Sequence, residues 1–103
     1  MSRAGTVVLD IGGDVGAAVV VVPPALTGLE IEIRAEGDDW AGVHTAVRER
    51  ELPRGGSLQA AVFESLPSGH YQVRVRHGDH GVTPTVSFAV HGGHVTEVAW
   101  PDA

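Results

Sequence analysis

The sequence predicts a single all-β domain, a sandwich of seven to eight short and mostly antiparallel strands. Three observations carry this. Tyr71, Val73 and Val75 alternate with Gln72, Arg74 and Arg76, which is the period of two of a strand with one buried face. Fourteen glycines and six prolines separate short apolar runs, the punctuation of many tight turns. No stretch reads as a credible helix, repeat or linker. At 103 residues and 43% apolar composition, the chain can form one domain with its own core.

The elements follow in order. Residues 6–11 alternate, with Val7, Leu9 and Ile11 on one face, and Gly12-Gly13-Asp14 makes a turn. Residues 15–22, VGAAVVVV, are apolar on both faces. Such a strand is either central and covered, or its second face is an interface. Ala18, Val20 and Val22 are read as that surplus face, and Pro23-Pro24 ends the strand. Residues 29–36 point Leu29, Ile31, Ile33 and Ala35 inward and Glu30, Glu32, Arg34 and Glu36 outward. A loop over residues 37–42 carries Trp40, and residues 43–51 return. With Glu36 opposite His44, Glu32 faces Arg48, Glu30 faces Arg50 and Ile33 meets Val47, so charge and apolar pairing agree.

Residues 53–56 turn, and residues 57–63 form a strand partly apolar on both faces. Residues 82–90 alternate, and Pro67-Ser68-Gly69 turns into the alternating strand 70–77, which is expected to pair with residues 84–91, Tyr71 against Val90 and Val73 against Phe88. Gly92-Gly93 reads as a two-residue hairpin loop, and residues 95–100 close the fold. That hairpin would place Glu97 opposite Phe88 on the inward face, an awkward position for a carboxylate.

The pattern Phe63-x-x-Leu66-Pro67-x-Gly69-x-Tyr71-x-Val73-x-Val75, then Val86-x-Phe88-x-Val90 and a Gly-Gly turn, resembles the C-terminal half of carboxypeptidase-regulatory-like and collagen-adhesin B-type domains. The resemblance covers roughly the last 40 residues of the chain, and it implies a prealbumin-like or immunoglobulin-like sandwich with Greek-key topology. The lysine–asparagine isopeptide bond of many adhesin modules has no counterpart, because the chain holds neither residue type. The fold is also similar to the transthyretin-like hydroxyisourate hydrolases. Their C-terminal Tyr-Arg-Gly-Ser is replaced by Trp100-Pro101-Asp102-Ala103, which disfavours that activity. The opening residues and the arginine-only basic composition resemble small acidic proteins of unassigned role from high-GC actinobacteria. Asp10-Ile11-Gly12-Gly13 resembles the phosphate-binding turn of sugar-kinase and actin-like ATPases. Those enzymes build their cleft from two large domains, so the glycines are read as a hairpin turn.

Composition narrows the function classes. A net charge of −6, with seven arginines and no lysine, argues against nucleic acid and against anionic membranes as partners. With no cysteine there is no disulfide, thiolate metal site or cysteine nucleophile. The first residues lack a signal-peptide pattern, and no run approaches the roughly 20 apolar residues of a membrane helix, so a cytoplasmic location is expected. No serine sits in a Gly-x-Ser-x-Gly elbow, and no enzyme is expected.

Two leads remain. In the strand register given above, His70 falls opposite His91, and His94 lies across the Gly-Gly turn. Three imidazoles would suit zinc or copper. His77, Asp79 and His80 form a weaker set at the far end of the strand. The other lead is apolar excess: Ala18, Val20, Val22, Val98 and Trp100 exceed what a small sandwich can bury, the mark of a protein interface. The loop carrying Trp40 is the alternative cover for them. The expectation is a non-enzymatic protein-interaction module that forms a homo-oligomer through its valine-rich strand. The alternatives are a metal-binding accessory protein using His70, His91 and His94, and, disfavoured, a small transthyretin-like hydrolase.

Overall fold

A computed structural model describes residues 11–78 and 83–101. The valine run forms β1 (Val15–Val22), held in mid-sheet between two partners. A 3-10 turn, Pro24–Leu26, follows the proline stop. The remaining strands are β2 (Glu30–Ala35), β3 (His44–Ala46), β4 (Arg48–Glu51), β5 (Ser57–Pro67), β6 (Gly69–Val75), β7 (Val86–Val90) and β8 (Val95–Ala99). They build two four-stranded sheets: sheet I in the order β4-β5-β1-β8, and sheet II in the order β3-β2-β6-β7. The protein is therefore all-β with two layers. Among the described residues no helix is long and apolar enough to cross a membrane.

Side chains from the facing sides of the sheets form the core. Sheet I contributes Ala18, Val20, Val22, Ala61, Phe63 and Val98; sheet II contributes Ile31, Ile33, Tyr71, Val73, Val75 and Val90. Val20, Ile31 and Val73 are fully buried, and each such side chain stabilises the fold by about 1.5–3 kcal/mol. Trp100 caps the core, with its backbone N–H donating to the Val21 carbonyl.

Three expected pairings differ from those formed. Residues 43–51 are not one strand. The chain leaves sheet II after Ala46 and enters sheet I at Arg48, with the Val47 side chain in the core and its N–H donating to Leu29 O at 2.8 Å. Glu32 therefore faces His44, not Arg48. Arg48 and Arg50 pair instead along β5, opposite Ala60 and Leu58. Charge matching could not distinguish these arrangements, because Arg74 on β6 and Arg76 just past its end offer Glu32 and Glu30 two other arginines.

The second difference lies in β6 and β7, which pair as expected but two residues out of step. Tyr71 meets Phe88, Val73 meets Val86 and Gly69 meets Val90. A slip of two keeps every side chain on its face, so alternation is blind to it. The formed register stacks the Tyr71 and Phe88 rings at 6.0 Å between centroids.

The third concerns Gly92-Gly93, which is a turn but not a hairpin. His94 N–H donates to His91 O at 3.1 Å, and the chain passes from sheet II to sheet I. β8 then runs parallel to β1, with Val98 beside Val20 and Glu97 beside Val19. Glu97 is consequently exposed rather than inward. The turn packs hard on the start of β1: a Cβ on Gly92 would overlap the Gly13 carbonyl, and one on Gly16 would collide with the carbonyls of His91 and His94. The expected strand over residues 6–11 lies, apart from Ile11, outside the described residues.

Candidate functional site

The two outer faces of the sandwich differ in chemistry, and the difference follows from the strand patterns. On sheet II, β2 and β6 present Glu30, Glu32, Arg34, Gln72 and Arg74, with Arg76 just past the end of β6. The ladder sets Glu32 opposite Arg74 and Arg34 opposite Gln72. These groups satisfy one another. Arg74 Nε donates to Glu32 Oε1 at 2.9 Å, and Glu32 is only 6% exposed. Arg34 donates through Nε and Nη2 to Gln72 Oε1 at 3.0 and 2.7 Å, and Gln72 donates onward to Ser87 Oγ. Arg76 Nη1 and His44 Nε2 approach the two oxygens of Glu30 at 3.3 and 3.4 Å. Trp40 lies across this face, with the guanidinium carbons of Arg34 and Arg74 at 4.5 and 4.1 Å from its ring centroid. Trp40 thus lies against charged groups on sheet II, and the alternative in which its loop covers the valine-rich strand is not the arrangement formed.

Sheet I is the opposite case. The register places Val19 beside Val62 on one side and Glu97 on the other, and Val21 beside Ala60 and Ala99. Their alternation partners Ala18, Val20 and Val22 point into the core, so Val19, Val21, Ala60 and Val62 point outward, continued by Ala17, Leu58 and Val95. Ala17 and Ala60 are fully buried even so; Val19, Val21, Leu58 and Val62 are half-buried, and Val95 is 44% exposed. The outer face of sheet I is a continuous aliphatic surface.

Its charges lie at the edges. Arg48 and Arg50 share this face on β4, at one edge of the sheet, and Glu97 stands on β8, at the other. Glu64 sits where β5 carries an extra residue between Phe63 and Leu66, at the end of the face away from Arg48. Among the described residues no ion pair involves Arg48, Arg50 or Glu97. The Nε of Arg50 is buried with no hydrogen-bond partner among those residues.

The residues expected to form the interface therefore take another role. Ala18, Val20, Val22, Val98 and Trp100 are all core residues, 0–6% exposed. The strand was read correctly as apolar on both faces, but the outward set is the odd-numbered one. In VGAAVVVV neither face carries a polar residue, so nothing within the strand marks which face meets the other sheet. The signal lay in its neighbours: Arg48, Arg50 and Glu97 share a face with Val19 and Val21.

The histidines are distributed differently from expectation. His70 is opposite Ala89, while His91 and His94 terminate a turn between sheets; all three are exposed. The register that set His70 against His91 is not the one formed. Among the described residues no group of three or more histidine, aspartate or glutamate side chains is placed to hold a metal ion. Asp79 and His80 of the second set lie outside the described residues.

No protein-family model, curated protein or solved structure matches the chain.

Proposed function

We propose that this protein is a non-enzymatic interaction module that self-associates through the outer face of sheet I. One observation carries the reading: the aliphatic surface built by Val19, Val21, Leu58, Val62 and Val95 over Ala17 and Ala60. The sheet II face supports it by contrast, since its charges are paired and its aromatic ring is already stacked. An aliphatic sheet face in water favours packing against another apolar surface.

The sandwich is read as a Greek-key type related to the prealbumin- and immunoglobulin-like domains. Three features support this. The chain changes sheet after β1, β3, β5 and β7. β1 and β8 pair in parallel while the other strand pairs are antiparallel. The Tyr71 hydroxyl donates to the Pro67 carbonyl at 2.6 Å, as in the tyrosine corner of such sandwiches.

The test is the mass of tag-free protein by light scattering over a wide concentration range, beside Val19→Glu. Wild type is expected to gain mass with concentration, and Val19→Glu to remain a monomer with an unchanged circular dichroism spectrum. A wild-type monomer at every concentration refutes the reading.

A further inference from the structure

Charge placement on the aliphatic face specifies how two copies meet. We infer that the protein forms a two-fold dimer in which sheet I faces sheet I, with the symmetry axis running along the strands. Arg48 of each copy then lies near Glu97 of the other. This inference rests on the self-association reading and adds its geometry.

The argument starts within one chain. Arg48 and Glu97 stand on strands at opposite edges of sheet I, three strand spacings apart. That is about 14 Å across the sheet, too far for a salt bridge. Along the strand direction, Glu97 is level with Val19, whereas Arg48, through Ala60, is level with Val21. The offset is two residues, roughly 6.6 Å, within the reach of an arginine side chain. One chain therefore carries a cation, Arg48, at one edge and an anion, Glu97, at the other, two residues apart in height, with an apolar centre between them.

Two closed symmetric face-to-face arrangements follow. An axis across the strands lays β4 on β4 and β8 on β8, so that each edge meets its own like charge and no arginine meets Glu97. An axis along the strands lays β4 on the partner's β8 and preserves height. It places Arg48 near the partner's Glu97, twice by symmetry, with the valines of β1 against those of β5. Repulsion disfavours the first and attraction favours the second. Sheets that pack in this way lie about 10 Å apart, with strands within about 30° of alignment.

Size sets the strength. Four strands at about 4.8 Å spacing and some 20 Å of strand length give a footprint of roughly 400 Å² per copy. About 800 Å² in total lies at the weak end of specific interfaces, so a micromolar dimer is expected rather than a nanomolar one.

Two single charge reversals test the geometry, each on an exposed side chain: Glu97→Arg and Arg48→Glu. Each variant alone puts like charges at both contact points and should dimerise about tenfold more weakly than wild type. Mixed one to one, the two variants form a heterodimer in which both contacts again join opposite charges. Sedimentation velocity should then recover association near the wild-type level. If wild type associates but the reversals have no effect, or the mixture fails to recover, this geometry is overturned while self-association stands. If wild type does not associate at all, both are overturned.

Discussion

At the residue scale the polar side chains on sheet II show how alternation fixes a face without naming a partner. Glu30, Glu32, Arg34, Arg74 and Arg76 were all legible as outward from period two alone. Which carboxylate meets which arginine was not, because four arginines were available to two glutamates. The ladder gives Glu32 to Arg74, and both Arg74 and Arg34 stack on Trp40. Arg74→Ala would strip a carboxylate that is 6% exposed of its partner and remove half of the stack. A loss of about 2 kcal/mol is expected in chemical denaturation, below the range for a fully buried pair because the arginine is partly solvated. Trp40→Ala should cost about 1 kcal/mol. The double variant should lose less than the sum of the two single losses, since both include the Arg74–Trp40 contact.

Tyr71 supplies a pH prediction. Burial raises its phenol pKa above the ordinary value, so the folded chain holds that proton to higher pH than the unfolded chain. The resulting stability is fully present below about pH 10, where the unfolded phenol titrates, and is lost as pH rises through the folded value. Tyr71→Phe should cost about 1 kcal/mol at neutral pH, through the lost bond to Pro67 O. Its stability should fall less steeply than that of wild type above pH 10. Denaturant midpoints measured across that range check both parts.

At the element scale strand positions were legible and strand partners only partly so. The runs that became β1, β2, β6 and β8 were visible, since each combines β-branched residues with a turn signal at its ends. The division of residues 43–51 at Val47 was not, because a strand that changes sheet at a buried valine keeps its local pattern throughout. The Gly92-Gly93 turn was visible as a turn, while its role in joining two sheets was not. That role makes the two glycines unequal. Gly93 has φ of 76°, and alanine there should cost about 1–2 kcal/mol through left-handed strain. Gly92 lacks such a φ, yet its missing Cβ is what lets the turn touch Gly13. Gly92→Ala must displace the backbone and should cost about 2–3 kcal/mol. Thermal unfolding should therefore rank Gly92→Ala below Gly93→Ala, the reverse of what backbone conformation alone implies.

At the scale of the whole molecule the central claim concerns one face of one sheet. The apolar excess was legible in VGAAVVVV. Its location was not, because the inner and outer sets of that strand have the same chemistry and only the pairing with Ala61, Phe63 and Val98 separates them. The most direct test reads the two sets apart. Methyl spectra of valine-labelled protein, recorded over a dilution series, report each valine separately. The account predicts concentration-dependent shifts at Val19, Val21, Val62 and Val95 on the outer face of sheet I. It predicts none at the core residues Val20 and Val73, or at Val43, which is 60% exposed beside sheet II. Shifts confined to Val43, or spectra that do not change across the series, would contradict it.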